Sequence, residues 1–250
     1  MQWEWQVFCQ DNITQETSQS CFGQNGDITY LDWMLSAWGW TVSVSLLSLA
    51  VALTIGLVVG TLRTLEGHPW IVRFGNLWVE FCRNIPLLVH IFMWYHVVPA
   101  LIPAMKNLPG FVLVVFALGF FTSARIAEQV RSGIQALPRG QRYAGMALGF
   151  TTVQYYRYVL LPMALRIIIP PLTSETMNVF KNSSVAFAVS VAELTMFAMQ
   201  AQEETARGVE IYLAVTLLYV ISAFTINRIM ALIERRTRVP GLIAAGEGGH

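Results

Sequence analysis

Charge is scarce in this sequence. Of 250 residues, 16 are Lys or Arg and 15 are Asp or Glu, 12% of the chain, about half the share of an ordinary soluble domain. A soluble fold needs polar residues to cover its core. Here 55% of residues are hydrophobic and the mean hydropathy is +0.52, which excludes one. The net charge of +1 argues against nucleic acid as a partner, because phosphate binding needs a clustered basic face. Lysine is confined to Lys106 and Lys181, and neither follows a glycine. No Gly-x4-Gly-Lys-Ser/Thr loop can be drawn to cradle a nucleotide phosphate. Gly-x-Ser-x-Gly and His-Glu-x-x-His are also missing, so an intramembrane protease is not supported. Cys9, Cys21 and Cys82 do not show zinc spacing. His90 and His96 lack an acidic neighbour at ligand spacing and read as packing or pore-lining residues. No metal or cofactor is expected on this chain.

The stretch Met1–Asp32 has no continuous apolar run of signal-core length and contains five acids and no Lys or Arg. It is expected to be a tail on the outer side of a membrane. If so, Cys9 and Cys21 can pair as a disulfide; the alternative is two free thiols.

Long uncharged runs are what the sequence has in quantity. About 20 apolar residues cross roughly 30 Å of hydrocarbon as a helix, and five such stretches are expected, at about 38–62, 85–105, 108–127, 166–200 and 209–230. The first contains Gly56 and Gly60, a small-xxx-small spacing that lets helices approach closely. Trp33, Trp38 and Trp40 before it read as an interfacial belt. The fourth is interrupted by Glu175, Lys181 and Glu193 and carries Pro170-Pro171, a doublet expected to kink it. Such a span should face protein or a polar cavity. Thirteen Lys and Arg fall in one set of connecting segments (Arg63–Arg83, Arg125–Arg166, Arg228–Arg238) and only Lys106 and Arg207 in the other. That asymmetry predicts an N-out, C-in protein: an outer tail over 1–37, one membrane bundle over 38–233 and an inner tail over 234–250.

About 40 residues separate the third and fourth runs, long for a helix connection. The pattern predicts a helix over about Ser123–Ala136 stopped by Pro138 and a second beginning near Gln141. Gly149 makes a break, and Thr151 or Thr152 caps a short helix ended by Pro162. Val153, Tyr156 and Val159-Leu160 lie on one face of that short helix. The segment Tyr143-Ala144-Gly145, three residues, Gly149, nine residues, Val159-Leu160-Leu161-Pro162 resembles the EAA loop of ABC importer permeases. That loop reads Glu-Ala-Ala, three residues, Gly, nine residues, Ile, one residue, Leu-Pro. Tyr143 stands in place of the acid, Gly145 in place of the second Ala and Val159 in place of Ile. Glu80 to Leu88, Leu137 to Gln141 and Pro170 to Ser184 are similar to segments of the polar amino-acid (histidine-permease) subfamily. Arg63-Thr64, Pro170-Pro171 with Ser174-Glu175, and Lys181-Asn182-Ser183 are most similar to the glutamate/aspartate permeases.

The resemblance implies an all-α integral inner-membrane protein with the type I ABC importer permease fold and cytoplasmic coupling helices. It implies no ATP hydrolysis on this chain. ATP and magnesium would be bound by two separate ATP-binding subunits, beside a second permease subunit and a periplasmic amino-acid-binding protein. Residues 139–162 would couple to the ATPase through Tyr143, Ala144, Gly145, Gly149, Val153, Tyr156, Val159, Leu161 and Pro162. On a helix Ser174, Asn178 and Lys181 share one face, flanked by Glu175 and Asn182 and followed by Ser183. Lys181 can attract a substrate carboxylate and Glu175 its ammonium group. An internal Glu–Lys pair, or a bond to another subunit, is the alternative.

Overall fold

The computed structural model describes residues 4–17, 20–23 and 27–237, without the side chains of Arg139 and Arg142. Arg238 and most of the expected inner tail lie outside the described residues. Among the described residues ten α-helices run in chain order: α1 (Tyr30–Leu62), α2 (Pro69–Asn84), α3 (Leu87–Phe92), α4 (Val98–Leu101), α5 (Gly110–Gln135), α6 (Arg139–Ala147), α7 (Thr152–Tyr155), α8 (Leu161–Asn182), α9 (Leu194–Thr205) and α10 (Gly208–Thr237). Among the described residues, four helical stretches are long and apolar enough to cross a membrane: Tyr30–Leu62, Gly110–Gln135, Thr152–Val189 and Gly208–Thr237. The pair Pro69–Asn84 and Leu87–Leu101, bent by 109°, adds a fifth when the two are counted together as one broken span.

Three boundaries differ from the sequence reading. The second span, expected over 85–105, is a helical run from Leu87 to Leu101 with a π-helical turn at Met93–Val97. It is preceded by the separate helix α2, which the pattern did not reveal. Ile85 is extended because the ring of Pro86 crowds the helical conformation of the residue before it. The fourth span, expected over 166–200, begins earlier and ends earlier. It passes through Pro170-Pro171 inside α8, tightens to a 3-10 helix at Ser183–Val189 and stops at Ser190, which is left-handed (φ 60°). The chain then restarts as α9. The helix expected over Ser123–Ala136 is not a separate loop element; it is the continuation of α5.

The contacts divide into two compact units. Unit 1 comprises Met1–Ser48, Leu88–Leu118 and Val179–Phe224; unit 2 comprises Leu49–Leu87, Gly119–Asn178 and Thr225–His250.

In unit 1 the N-terminal tail is folded. Val7 and Phe8, on a 3-10 turn at Trp5–Cys9, enter a core with Tyr30, Met34, Leu194, Phe197 and Ile211. Cys9 and Cys21 form a disulfide. Glu4 pairs with Arg207. The Asp11 carboxylate accepts from the backbone N–H of Ile13 (2.9 Å) and Thr14 (2.7 Å), and these N–H groups, that of Thr14 foremost, hold its pKa below the usual carboxylate value. Glu193 caps α9, accepting at 2.9 Å from the N–H groups of Thr195 and Met196. The Tyr219 hydroxyl donates to Glu193 at 3.1 Å. The residues read as an interfacial belt pack within the unit: Trp33 edge-on to Phe197, Trp40 edge-on to Phe111, and Trp38 donating to the Ser222 hydroxyl at 2.9 Å.

Unit 2 is built on the close approach of α1 to α5. A Cβ placed on Gly56 would lie 2.6 Å from Ile126, and one on Gly60 would lie 2.6 Å from the Ala127 carbonyl oxygen. The small-xxx-small pair therefore does serve close helix contact. Around it, Ala52, Ile126, Val130, Ile134, Tyr155, Leu160 and Ile168 form one buried cluster. Val79 and Cys82 of α2 form a second with Ala124 and Ala127.

Candidate coupling elbow and polar cavity

The elbow is assembled by local rules. Pro138 precedes α6, and Leu148 ends it. Gly149 has φ +78°, a left-handed backbone that costs an L side chain roughly 1–2 kcal/mol. Thr151 then starts α7 with a complete capping box: its hydroxyl accepts from the Gln154 N–H (3.3 Å) and the Gln154 side chain accepts from the Thr151 N–H (2.9 Å). Gly145, where the family pattern has Ala, is buried beneath Tyr155; an added Cβ would sit 2.9 Å from the ring.

Pro162 does not end the short helix. The chain passes from α7 through a π-helical segment, Tyr156–Leu160, directly into α8. Proline is tolerated in the first turn of a helix, where its missing N–H has no partner to lose. The bend of the elbow is therefore at Gly149.

The expected coupling residues separate into two groups. Tyr143 (62% exposed), Ala144, Gly149, Val153 (74%) and Pro162 are on the surface, beside exposed Met146, Leu148 and Tyr158. Gly145, Tyr156, Val159 and Leu161 turn into unit 2. Tyr156, expected among the coupling residues on the face with Val153 and Val159-Leu160, donates its hydroxyl to the Thr64 carbonyl at 2.8 Å. A cavity of about 840 Å³ lies alongside, its lining including Arg63, Thr64, Gln135, Tyr143, Tyr155 and Tyr156.

The expected path residues also separate. Glu175, buried on α8, accepts from the Gln129 amide (3.3 Å) and faces Arg125 (3.9 Å). Its ionic partner within unit 2 is Arg125 of α5. Glu175 lines a cavity of about 420 Å³ with Arg83, Phe121, Arg125, Glu128 and Gln129. Ser174 is exposed and Asn178 half-buried in the same unit. Lys181, Asn182 and Ser183 belong to unit 1. There Lys181 is exposed, Asn182 is half-buried, and the buried Ser183 hydroxyl donates back to the Phe180 carbonyl at 2.7 Å.

Sequence reading missed Arg63 as an organising residue. Its guanidinium donates to Asn76 on α2 and to Glu128 on α5, both at 2.7 Å. Glu128 also pairs with Arg131 one turn on. The only sequence signal was the Arg63-Thr64 wording, which marked kinship and not contact.

Comparison with known proteins agrees with this architecture. Residues 52–239 match the family described as "Binding-protein-dependent transport system inner membrane component". The glutamate/aspartate import permease protein GltJ of Escherichia coli (strain K12) is 39% identical over 249 residues, covering 96% of each chain. The probable glutamine ABC transporter permease protein GlnM of Bacillus subtilis (strain 168) is 34% identical over 198 residues, 78% of this chain and 89% of its own. A crystal structure of an amino acid ABC transporter with histidines superposes with TM-score 0.71 at 30% identity, covering 83% of this chain and 95% of that one. The apolar spans, the glycine-hinged elbow and these similarities agree: the chain belongs to the family of inner-membrane components of binding-protein-dependent transport systems, the permease subunits of ABC importers.

Proposed function

We propose that this permease carries acidic amino acids, glutamate and aspartate, from the periplasm to the cytoplasm of a bacterium. The observation that carries the substrate reading is the end-to-end similarity to a glutamate/aspartate import permease, 96% of each chain. The chain lies in the inner membrane with its N-terminus outside and its C-terminus inside. It needs no cofactor of its own. ATP and magnesium bind two separate ATPase subunits, a second permease subunit completes the pathway, and a periplasmic binding protein delivers substrate.

The exposed apolar surface at Tyr143, Met146, Leu148 and Val153 is the face that meets the ATPase. Gly149 sets its angle and Pro162 begins the helix that carries its motion inward. Within unit 2 the cavity at Glu175 pairs two carboxylates with two guanidinium groups, a lining suited to a charged zwitterion. Ser174 and Asn178 extend that polar surface along α8. Lys181, Asn182 and Ser183 continue the same helix and the 3-10 turn after it.

The test is uptake and co-purification with Val153→Glu and Tyr143→Glu. Each places a charge on the docking face without touching the core. The expected result is loss of the ATPase subunit from the purified complex and loss of labelled glutamate uptake, with the chain still inserted. Unlabelled aspartate should compete with glutamate and glutamine should not. Competition by glutamine alone would move the substrate to the neutral amide. Labelling of the Arg131–Arg157 segment from the periplasm would overturn the orientation and the coupling role together.

A further inference from the structure

Arg63 and Thr64 form the turn that follows α1, where four stretches of unit 2 meet. The Arg63 side chain is only 8% exposed. Its stem lies beneath Gly75 of α2, where an added Cβ would be 2.6 Å from its Cγ. Its guanidinium bonds Asn76 and Glu128, so α1, α2 and α5 are tied at one side chain. The next residue is held from the elbow: the Tyr156 hydroxyl donates to the Thr64 carbonyl and lies 3.2 Å from the Thr64 hydroxyl.

Along the chain, the elbow of α6 and α7 joins α5 on one side and α8 on the other. A push on its outer face reaches α1 and α2 only through non-covalent contacts, and α5 through the chain link at 136–138 as well. The apolar contacts of Tyr155 and Leu160 can slide, because dispersion and apolar burial are not directional. A hydrogen bond is directional and passes on both push and pull. Tyr156 is also the first residue of the π-helical segment, a geometry that often marks functional positions. The adjoining cavity of about 840 Å³ leaves room for the arm to shift.

We infer that the Arg63-Thr64 step is the joint through which elbow motion enters the membrane helices. Tyr156 is the positioning residue that grips it, and the Arg63–Glu128 pair spreads the motion to α5. The inference rests on the importer reading above and names how that coupling leaves the elbow.

The experiment uses the complete complex in proteoliposomes with its binding protein, measuring uptake and ATP hydrolysis in the same vesicles. Tyr156→Phe removes one hydroxyl. The ATPase subunit should remain bound and hydrolysis stay within about twofold, while substrate moved per ATP falls about tenfold, the worth of one buried hydrogen bond. The double variant Arg63→Gln with Glu128→Gln should lower the same ratio. Thr64→Ser, which keeps both partners of Tyr156, should retain it. An unchanged ratio in Tyr156→Phe and in the double variant would overturn the inference. So would loss of the ATPase subunit from Tyr156→Phe, which would make Tyr156 part of the docking face. A wild-type complex that does not couple ATP to uptake would count instead against the importer reading.

Discussion

Replacing Gly60 by Ala should destabilise the protein, although alanine is the better helix former. The built Cβ lies 2.6 Å from the Ala127 carbonyl oxygen and 2.6 Å from the Val130 Cβ. Ordinary contact is about 3.5–4.0 Å, so α1 must retreat from α5 by roughly 1 Å. Overpacking of this kind costs about 1–3 kcal/mol, against a propensity gain of about 1 kcal/mol. Three residues on, Arg63 holds Glu128 at 2.7 Å, and the same retreat lengthens that bond beyond hydrogen-bonding range. A bond between charged groups contributes about 1.5–3 kcal/mol. The net loss is about 1.5–5 kcal/mol, or roughly 3–20 °C in melting temperature for a chain of this size. Gly39 is the control, since it lies on the same helix and an added Cβ there meets nothing within 4 Å. Gly39→Ala should be neutral or raise the melting temperature. Thermal unfolding of both variants in detergent decides the matter. Equal melting temperatures would refute the claim that the close α1–α5 approach depends on a missing side chain.

Gly149→Ala should weaken the elbow by about 1–2 kcal/mol through backbone strain alone, because its Cβ would have open space around it. The expected sign is reduced ATPase co-purification, with a melting temperature that changes less than for Gly60→Ala. Cys9→Ser should open the tail. The disulfide closes a loop of sequence separation 12, worth about 3 kcal/mol by loop entropy, and limited proteolysis should cut residues 4–29 faster. The Asp11 turn should be pH-dependent. Its pKa is lowered in the folded chain, so its stabilisation is full above the unfolded value of about 3.9 and disappears as pH falls through the lowered value. Hydrogen-exchange protection at the Ile13 and Thr14 amides should hold at pH 5 and weaken below about 4, and Asp11→Asn should remove that dependence.

Composition and pattern alone established a membrane chain, its apolar runs, the close-packing pair Gly56 and Gly60, the break at Gly149 and a cap at Thr151 or Thr152. These are properties of single residues or of short periodic stretches: the transfer energy of a side chain, the left-handed backbone that glycine tolerates, a cap three residues from its donor. Where α2 begins and where the fourth span stops was decided by the fold. Asn76 of α2 is matched by Arg63 and the Trp78 N–H by the Ser123 hydroxyl, 45 residues away. The break at Ser190 is held by Glu193 capping α9, and by the Thr41 hydroxyl accepting the Leu194 N–H at 3.1 Å. The same holds for the site. Residue spacing placed Tyr156 on one apolar face of a short helix with Val153 and Val159-Leu160, but the hydroxyl found Thr64, 92 residues away. Glu175 found Arg125, on α5, 50 positions earlier in the chain. Charges and hydroxyls in an apolar surrounding go to whichever partner lies within about 3–4 Å, and only the packed helices bring those partners within reach.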